Sequence, residues 1–147
     1  MKLLTPAATL PRRMTPGSAG LDLFAAEDVT VPPSQAKSDG HVDVGRALVP
    51  TGIAIALPKG TVGRIGSRSG ISVNNNVEVG AGWVDCDYRG EILVELKNLS
   101  SLPFNVVRGD RVAQLFVLPY VSVRLRPLDR IGKTQRGAGG FGSSEAT

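Results

Sequence analysis

The residues from Gly80 to Gly90, GAGWVDCDYRG, combine small residues, an acid and a phenol in a pattern that could do chemistry. Glycine at 80, 82 and 90 gives access to positive φ and leaves no Cβ in the way of a ligand. The short apolar pair Trp83–Val84 between these glycines predicts a tight β-hairpin whose main chain is exposed on one side. Such a hairpin can offer backbone N–H and C=O groups to the edge of a planar ring. Asp85 would stand at its base as a proton acceptor, with Tyr88 three residues on. The same residues also fit a Gly-Ala-Gly turn with an aspartate cap.

Two further segments have the composition of anion sites. Gly66–Gly70 (GSRSG) is a glycine-flanked turn that can open a helix, and its backbone N–H groups would make a nest for anions. Arg68 adds a forked cation suited to phosphate oxygens, and Ser69 adds a hydroxyl. Arg136–Ser144 (RGAGGFGSS) joins a cation, a glycine run and two hydroxyls, a composition able to wrap a polyphosphate. Phe141 has no core to enter in so polar a stretch, and its face could stack on a base. A capped turn with a solvated arginine and a disordered tail account for the same two segments. Asp22 lies in the apolar run SAGLDLFA, where an acid must be paired, hydrated or near a metal. Gln114 lies among apolar neighbours in GDRVAQLF, so its amide needs a partner.

The elements that must position these residues read as β. The main strand signals are Ile53–Leu57, Ile92–Leu96 and Val112–Leu118. Shorter ones lie at Leu21–Phe24, Val29–Val31, Thr61–Ile65, Asn76–Val79, Phe104–Val107 and Ser122–Leu125. Turn residues recur about every 8–12 positions, which argues for an all-β sandwich or barrel. One short helix fits, around Ser69–Val73. Ser34–Asp43 reads as an extended surface loop with His41 in solvent. The chain divides into a β-domain over 1–129 and a glycine-rich, flexible C-terminal arm over 130–147.

A length of 147 residues fits one domain, and 41% hydrophobic with 20% charged residues is an ordinary soluble composition. No apolar run approaches the roughly 18 residues that span a bilayer. The start, MKLLTPAATLPRR, lacks the apolar core of a signal peptide. The one cysteine, Cys86, makes no intrachain disulfide, so a soluble intracellular setting, cytoplasm or nucleus, is expected. The one histidine, His41, rules out a Cys/His zinc set. The net charge of +4 is scattered rather than clustered, which favours small anionic ligands over stable nucleic-acid binding.

Taken together and in order, five segments resemble the five motifs of the trimeric dUTPase family. They are AGLDLFA at 19–25, GRIGSRSGIS at 63–72, GAGWVDCDYRG at 80–90, RGDRVAQLF at 108–116 and RGAGGFGSS at 136–144. The resemblance implies an all-β fold of the β-clip or distorted jelly-roll type. It implies a homotrimer with three active sites, each built from all three subunits and closed by the C-terminal arm. The implied reaction is Mg²⁺-dependent cleavage of dUTP to dUMP and pyrophosphate, which limits uracil in DNA and supplies dUMP for dTTP synthesis.

Carried over by position, Asp85 resembles the acid that activates the attacking water. Tyr88 resembles the residue that lies under the deoxyribose. The backbone around Gly82, with Trp83 and Val84, would read uracil. Arg68, Ser69, Gly70 and Gln114 resemble the phosphate-side groups. Arg136, Phe141, Gly142 and Ser143 resemble the closing arm, with Phe141 over the base. No residue is implied as a direct Mg²⁺ ligand, and Asp22 would support the metal-bound water. Trp83 departs from the aliphatic residue common at its place. A related dCTP deaminase and a non-catalytic regulatory protein on the same fold are the competing readings.

Overall fold

The computed structural model describes residues 1–139. Along the chain the strands are β1 (Lys2–Leu3), β2 (Leu21–Phe24), β3 (Val29–Val31), β4 (Gln35–Ala36), β5 (Val42–Asp43) and β6 (Gly45–Ala54). They continue with β7 (Thr61–Gly66), helix α1 (Ser69–Asn75), β8 (Val77–Val79), β9 (Trp83–Val84), β10 (Glu91–Asn98), β11 (Phe104–Val106) and β12 (Arg111–Pro119). The protein is therefore mostly β, with antiparallel pairing throughout.

Two four-stranded sheets dominate, ordered β1-β6-β10-β8 and β2-β12-β7-β9, with small pairs β11-β3 and β4-β5 beside them. Strand β10 shows why they pack. Its residues Ile92, Val94, Leu96 and Asn98 are buried in strict alternation, so one face enters the core. Ile92, Val94 and Leu96 meet Leu23, Ile65 and Leu115 of the other sheet and Val31 and Val106 of the small pair in one apolar cluster. Each such side chain contributes about 1.5–3 kcal/mol when fully buried. Asn98 is fully buried, and its amide donates to the carbonyls of Val31 (3.3 Å) and Leu102 (2.7 Å). Its own oxygen accepts from the Ser100 N–H (3.0 Å), so no polar atom is left bare.

The structure departs from the sequence expectations in four places. The strand expected at Ile53–Leu57 is the longer β6, which ends at Ala54. Pro50 reads as a turn residue, yet it lies inside this strand, as does Gly52. The register to β10 shifts between Glu91 and Leu93, and that irregularity absorbs them. It is held by the Gly52 N–H donating to Glu91 Oε1 (2.7 Å) and the Thr51 hydroxyl donating to the Ile92 carbonyl (2.5 Å). The Ser34–Asp43 loop carries the exposed β4-β5 pair, while His41 is solvated as expected, with Nδ1 3.2 Å from Asp39. The strand expected at Ser122–Leu125 is absent, because these β-type residues find no partner strand among the described residues. Val121, Leu125 and Ile131 are each more than four-fifths exposed. Finally, β9 does not form a hairpin with β10; the two lie in different sheets.

Candidate active site

Strand β9 lies at the edge of its sheet and, among the described residues, pairs only with β7, Gly63 opposite Val84 and Arg64 opposite Trp83. The Ile65 N–H donates to the Gly82 carbonyl at 2.7 Å. In an antiparallel ladder hydrogen-bonded pairs alternate with non-bonded ones. The Trp83 N–H and C=O therefore point away from β7, toward the open edge. These, rather than the Gly82 carbonyl, are the main-chain groups offered outward.

The glycines serve the chain's own packing. A Cβ at Gly82 would lie 2.5 Å from both Arg64 Nη1 and the Ile65 carbonyl, and one at Gly80 would strike the Glu95 carboxylate and Lys97. Glu95 fixes this backbone, accepting from the Ala81 N–H at 2.6 Å through Oε2 and from the Gly80 N–H at 2.9 Å through its carbonyl. Beyond β9 the chain turns, with the Tyr88 N–H donating to the Asp85 carbonyl (3.1 Å). The Tyr88 hydroxyl folds back to the Glu91 carbonyl (3.0 Å), filling space that a side chain at Gly90 would need. An open groove results, lined by Ile65, Gly82, Trp83, Val84, Asp85 and Tyr88. Asp85 is exposed in it, and the Arg64 guanidinium covers the Trp83 ring at 5.1 Å.

A second cluster forms where β2, β7 and β12 adjoin. Gln114 pairs with Asp22 on one side and Gly66 on the other. Asp22 is 2% exposed. Its Oδ1 accepts from Gln114 Nε2 (2.8 Å), and its Oδ2 accepts from Arg111 Nη1 (3.2 Å) and lies 3.8 Å from Arg68 Nε. Arg68 Nη1 also donates to the Arg111 carbonyl at 2.7 Å. The β12 register shifts between Arg111 and Ala113, which places Arg111 opposite Phe24. Without that bulge Arg111 would face the other side of the sheet; with it, the guanidinium shares the face of Asp22 and Gln114. The turn carrying Arg68 is tied down by Glu78. Ser67 Oγ donates to its carboxylate at 2.5 Å and Ser72 Oγ donates to the other oxygen. These two bonds, Ser67's first, hold the Glu78 carboxyl below its ordinary range against a smaller effect of burial.

A family model described as dUTPase matches residues 7–145. The chain belongs to the dUTPase family. It is 46% identical over 141 residues to the deoxyuridine 5'-triphosphate nucleotidohydrolase of fowl adenovirus A serotype 1, covering 96% of this chain and 74% of that protein. It is 44% identical to the mitochondrial deoxyuridine 5'-triphosphate nucleotidohydrolase of Dictyostelium discoideum, covering 98% and 75%. Among solved structures, the dUTPase of Staphylococcus bacteriophage 80alpha with dUPNHPP superposes with a TM-score of 0.84. It is 27% identical, over 97% of this chain and 95% of that one.

Within this dUTPase-family chain the site residues fall into separate groups. Asp22, Arg68 and Gln114, far apart in sequence, come together. Gly82, Trp83, Val84, Asp85 and Tyr88 line the groove. Ser69 and Gly70 are exposed in the first turn of α1. Arg136 is exposed, its Nε donating to the Gly139 carbonyl at 2.9 Å. Phe141, Gly142 and Ser143 lie outside the described residues. The groove shares no lining residue with the cleft at Arg68 and Arg111. Arg111 and Glu78 were not anticipated: the first depends on a bulge, the second on which serines a strand residue meets.

Asp22 is held by side chains on both of its oxygens, those of Gln114 and the arginines, and the residue is sealed from solvent. In the free chain it is paired, one of the states open to an acid in an apolar run. Among the described residues no three His, Cys, Asp or Glu side chains gather as a metal cage. No helix of the described residues is long and apolar enough to cross a membrane.

Proposed function

We propose that this chain hydrolyses dUTP to dUMP and pyrophosphate at a site joining the Asp85 groove of one subunit to the Asp22–Arg68–Arg111–Gln114 cluster of another. The identity above 40% to named dUTP nucleotidohydrolases, with the acid of the groove and the arginines of the cluster in place, carries this reading. The groove's outward Trp83 N–H and C=O suit the edge of uracil, and Tyr88 suits the sugar. Asp85 takes a proton from water as the water oxygen bonds to phosphorus. The phosphorus–oxygen bond between the α- and β-phosphates breaks, and pyrophosphate leaves. Arg68, Arg111 and Gln114, with Ser69 and Gly70, receive the phosphates, where fixed charge stabilises developing charge. Mg²⁺ bound to the triphosphate supplies further neutralisation.

A homotrimer of the β-clip, jelly-roll type is supported by two features. The two halves of the site open separately in one chain. The stretch after β12 exposes Val121, Val123, Leu125 and Ile131, which a neighbour can cover. Residues 1–129 then form the β-domain, and 130–147 the arm that brings Arg136 and Phe141 over a site. dUTP is the expected partner besides the other two subunits, with neither stable nucleic-acid binding nor a membrane involved, in a soluble intracellular setting.

Pyrophosphate release from dUTP, dCTP and UTP, with ammonia release from dCTP in parallel, tests the reading. Selective turnover of dUTP is expected, with Asp85→Asn losing about 10²–10⁴-fold in rate while keeping affinity for dUpNHpp. Ammonia from dCTP would replace the hydrolase with a deaminase. Turnover by Asp85→Asn within a few-fold of wild type would remove Asp85 as the base.

A further inference from the structure

We infer that Glu78 is a positioning residue for the polyphosphate: by holding Ser67 and Ser72 on one carboxylate it fixes where Arg68 points. This rests on the site reading above and deepens it. Glu78 lies in β8, opposite Lys97 of β10, so its backbone is set by the sheet. One carboxylate oxygen accepts from Ser67 Oγ and the other from Ser72 Oγ. Ser67 Oγ in turn accepts from the Val79 N–H at 2.8 Å. The residue just before Arg68 is thus bonded to two neighbouring positions of one strand.

Ser72 closes the far side of the same turn, its N–H donating to the Arg68 carbonyl at 2.9 Å. Arg68 itself stands at the start of α1 with extended backbone and no side-chain cap. The usual local restraint on a helix start is therefore missing, and Glu78 supplies one from outside. Its charge-assisted bonds are of the stronger, shorter kind. They go to hydroxyls, so Glu78 itself does not neutralise the Arg68 cation. From that fixed base the Arg68 side chain spans to the Arg111 carbonyl and to Asp22.

The test compares a ligand carrying the full triphosphate with one that lacks its outer part. Full-length wild type, Glu78→Ala, Glu78→Gln and Ser67→Ala/Ser72→Ala are titrated with dUpNHpp plus Mg²⁺ and with dUMP, with melting temperature and KM against kcat alongside. Glu78→Ala is expected to weaken dUpNHpp by about tenfold or more, in line with loss of a charged hydrogen bond, and to leave dUMP within about twofold. KM for dUTP should rise more than kcat falls. Glu78→Gln should keep most of the affinity, since an amide can accept from one hydroxyl and donate to the other. The double serine variant should show the same selective loss, and Glu78→Ala added to it should cost nothing more. Equal losses for both ligands, wild-type affinity in Glu78→Ala, or a full Glu78→Ala effect without the serines would each overturn the inference. Where Glu78→Ala fails to fold, the double serine variant decides alone. A wild type that binds dUpNHpp but releases no pyrophosphate would overturn the activity, while the affinity comparison still judges Glu78.

Discussion

Replacing Asp22 with asparagine should destabilise the fold and loosen the phosphate-side cluster together. The substitution keeps the shape and one acceptor oxygen, so the Gln114 bond can survive. What it removes is the charge facing Arg111 Nη1 at 3.2 Å and Arg68 Nε at 3.8 Å. A fully buried pair that loses one partner costs about 3–5 kcal/mol, and a hydrogen bond to a charged group is worth about 1.5–3. The Asp22 side chain is 3% exposed, but those of Arg68 and Arg111 are 22% and 40% exposed and recover part of their hydration. The lower part of the range applies, about 2–3 kcal/mol. At about 3 °C per kcal/mol for a domain of this size, the melting temperature should fall by roughly 6–9 °C. Calorimetry at one fixed protomer concentration measures this, because the proposed trimer would make melting depend on concentration. The KM for dUTP should rise as well. A fall below about 2 °C with unchanged KM would show that Asp22 does not organise the arginines.

Tyr88→Ala should raise turnover of UTP relative to dUTP, because the ring then no longer fills the space a 2'-hydroxyl needs; an unchanged ratio places sugar selection elsewhere. Acid should destabilise the wild type more steeply than Glu78→Gln. The serine bonds lower the folded-state pKa of Glu78, so its contribution is present above the unfolded value, about 4.3, and is lost as pH falls through the folded one. Identical acid limbs in melting experiments would deny Glu78 that contribution.

Much of this was legible because glycine, proline and alternating apolar residues act locally. β2 and β3 fall where their residue types put them, and α1 begins at Ser69 as expected. What escaped depends on pairing between distant segments. GAGWVDCDYRG resembles a hairpin, yet Trp83 and Val84 find their partner in β7, some twenty residues back. Arg111 reaches Asp22 through a bulge that no residue type announces. The strand-like Ser122–Leu125 lacks a partner strand among the described residues. For the proposed site, Asp85, Tyr88 and Arg68 stand out as candidates from type and spacing. Asp22's two arginines and Glu78's two serines emerge only from contacts.

The stretch from Tyr120 to Ile131 bears on solubility as well as on assembly. The single folded chain displays Val121, Val123, Leu125, Leu128 and Ile131 to solvent. Apolar β-type runs of this kind seed aggregation when left uncovered. This one carries its own gatekeepers: Arg124 and Arg126 interleave with the apolar positions, and Pro119 and Pro127 flank the strand-like part. Positive charge repels an identical strand, and proline cannot donate to a ladder, so stacking of like on like is opposed. A neighbour with a complementary edge meets less opposition. The same residues thus guard a newly made chain against stacking on its own copies, and in the proposed trimer they would still leave it free to join its proper neighbour.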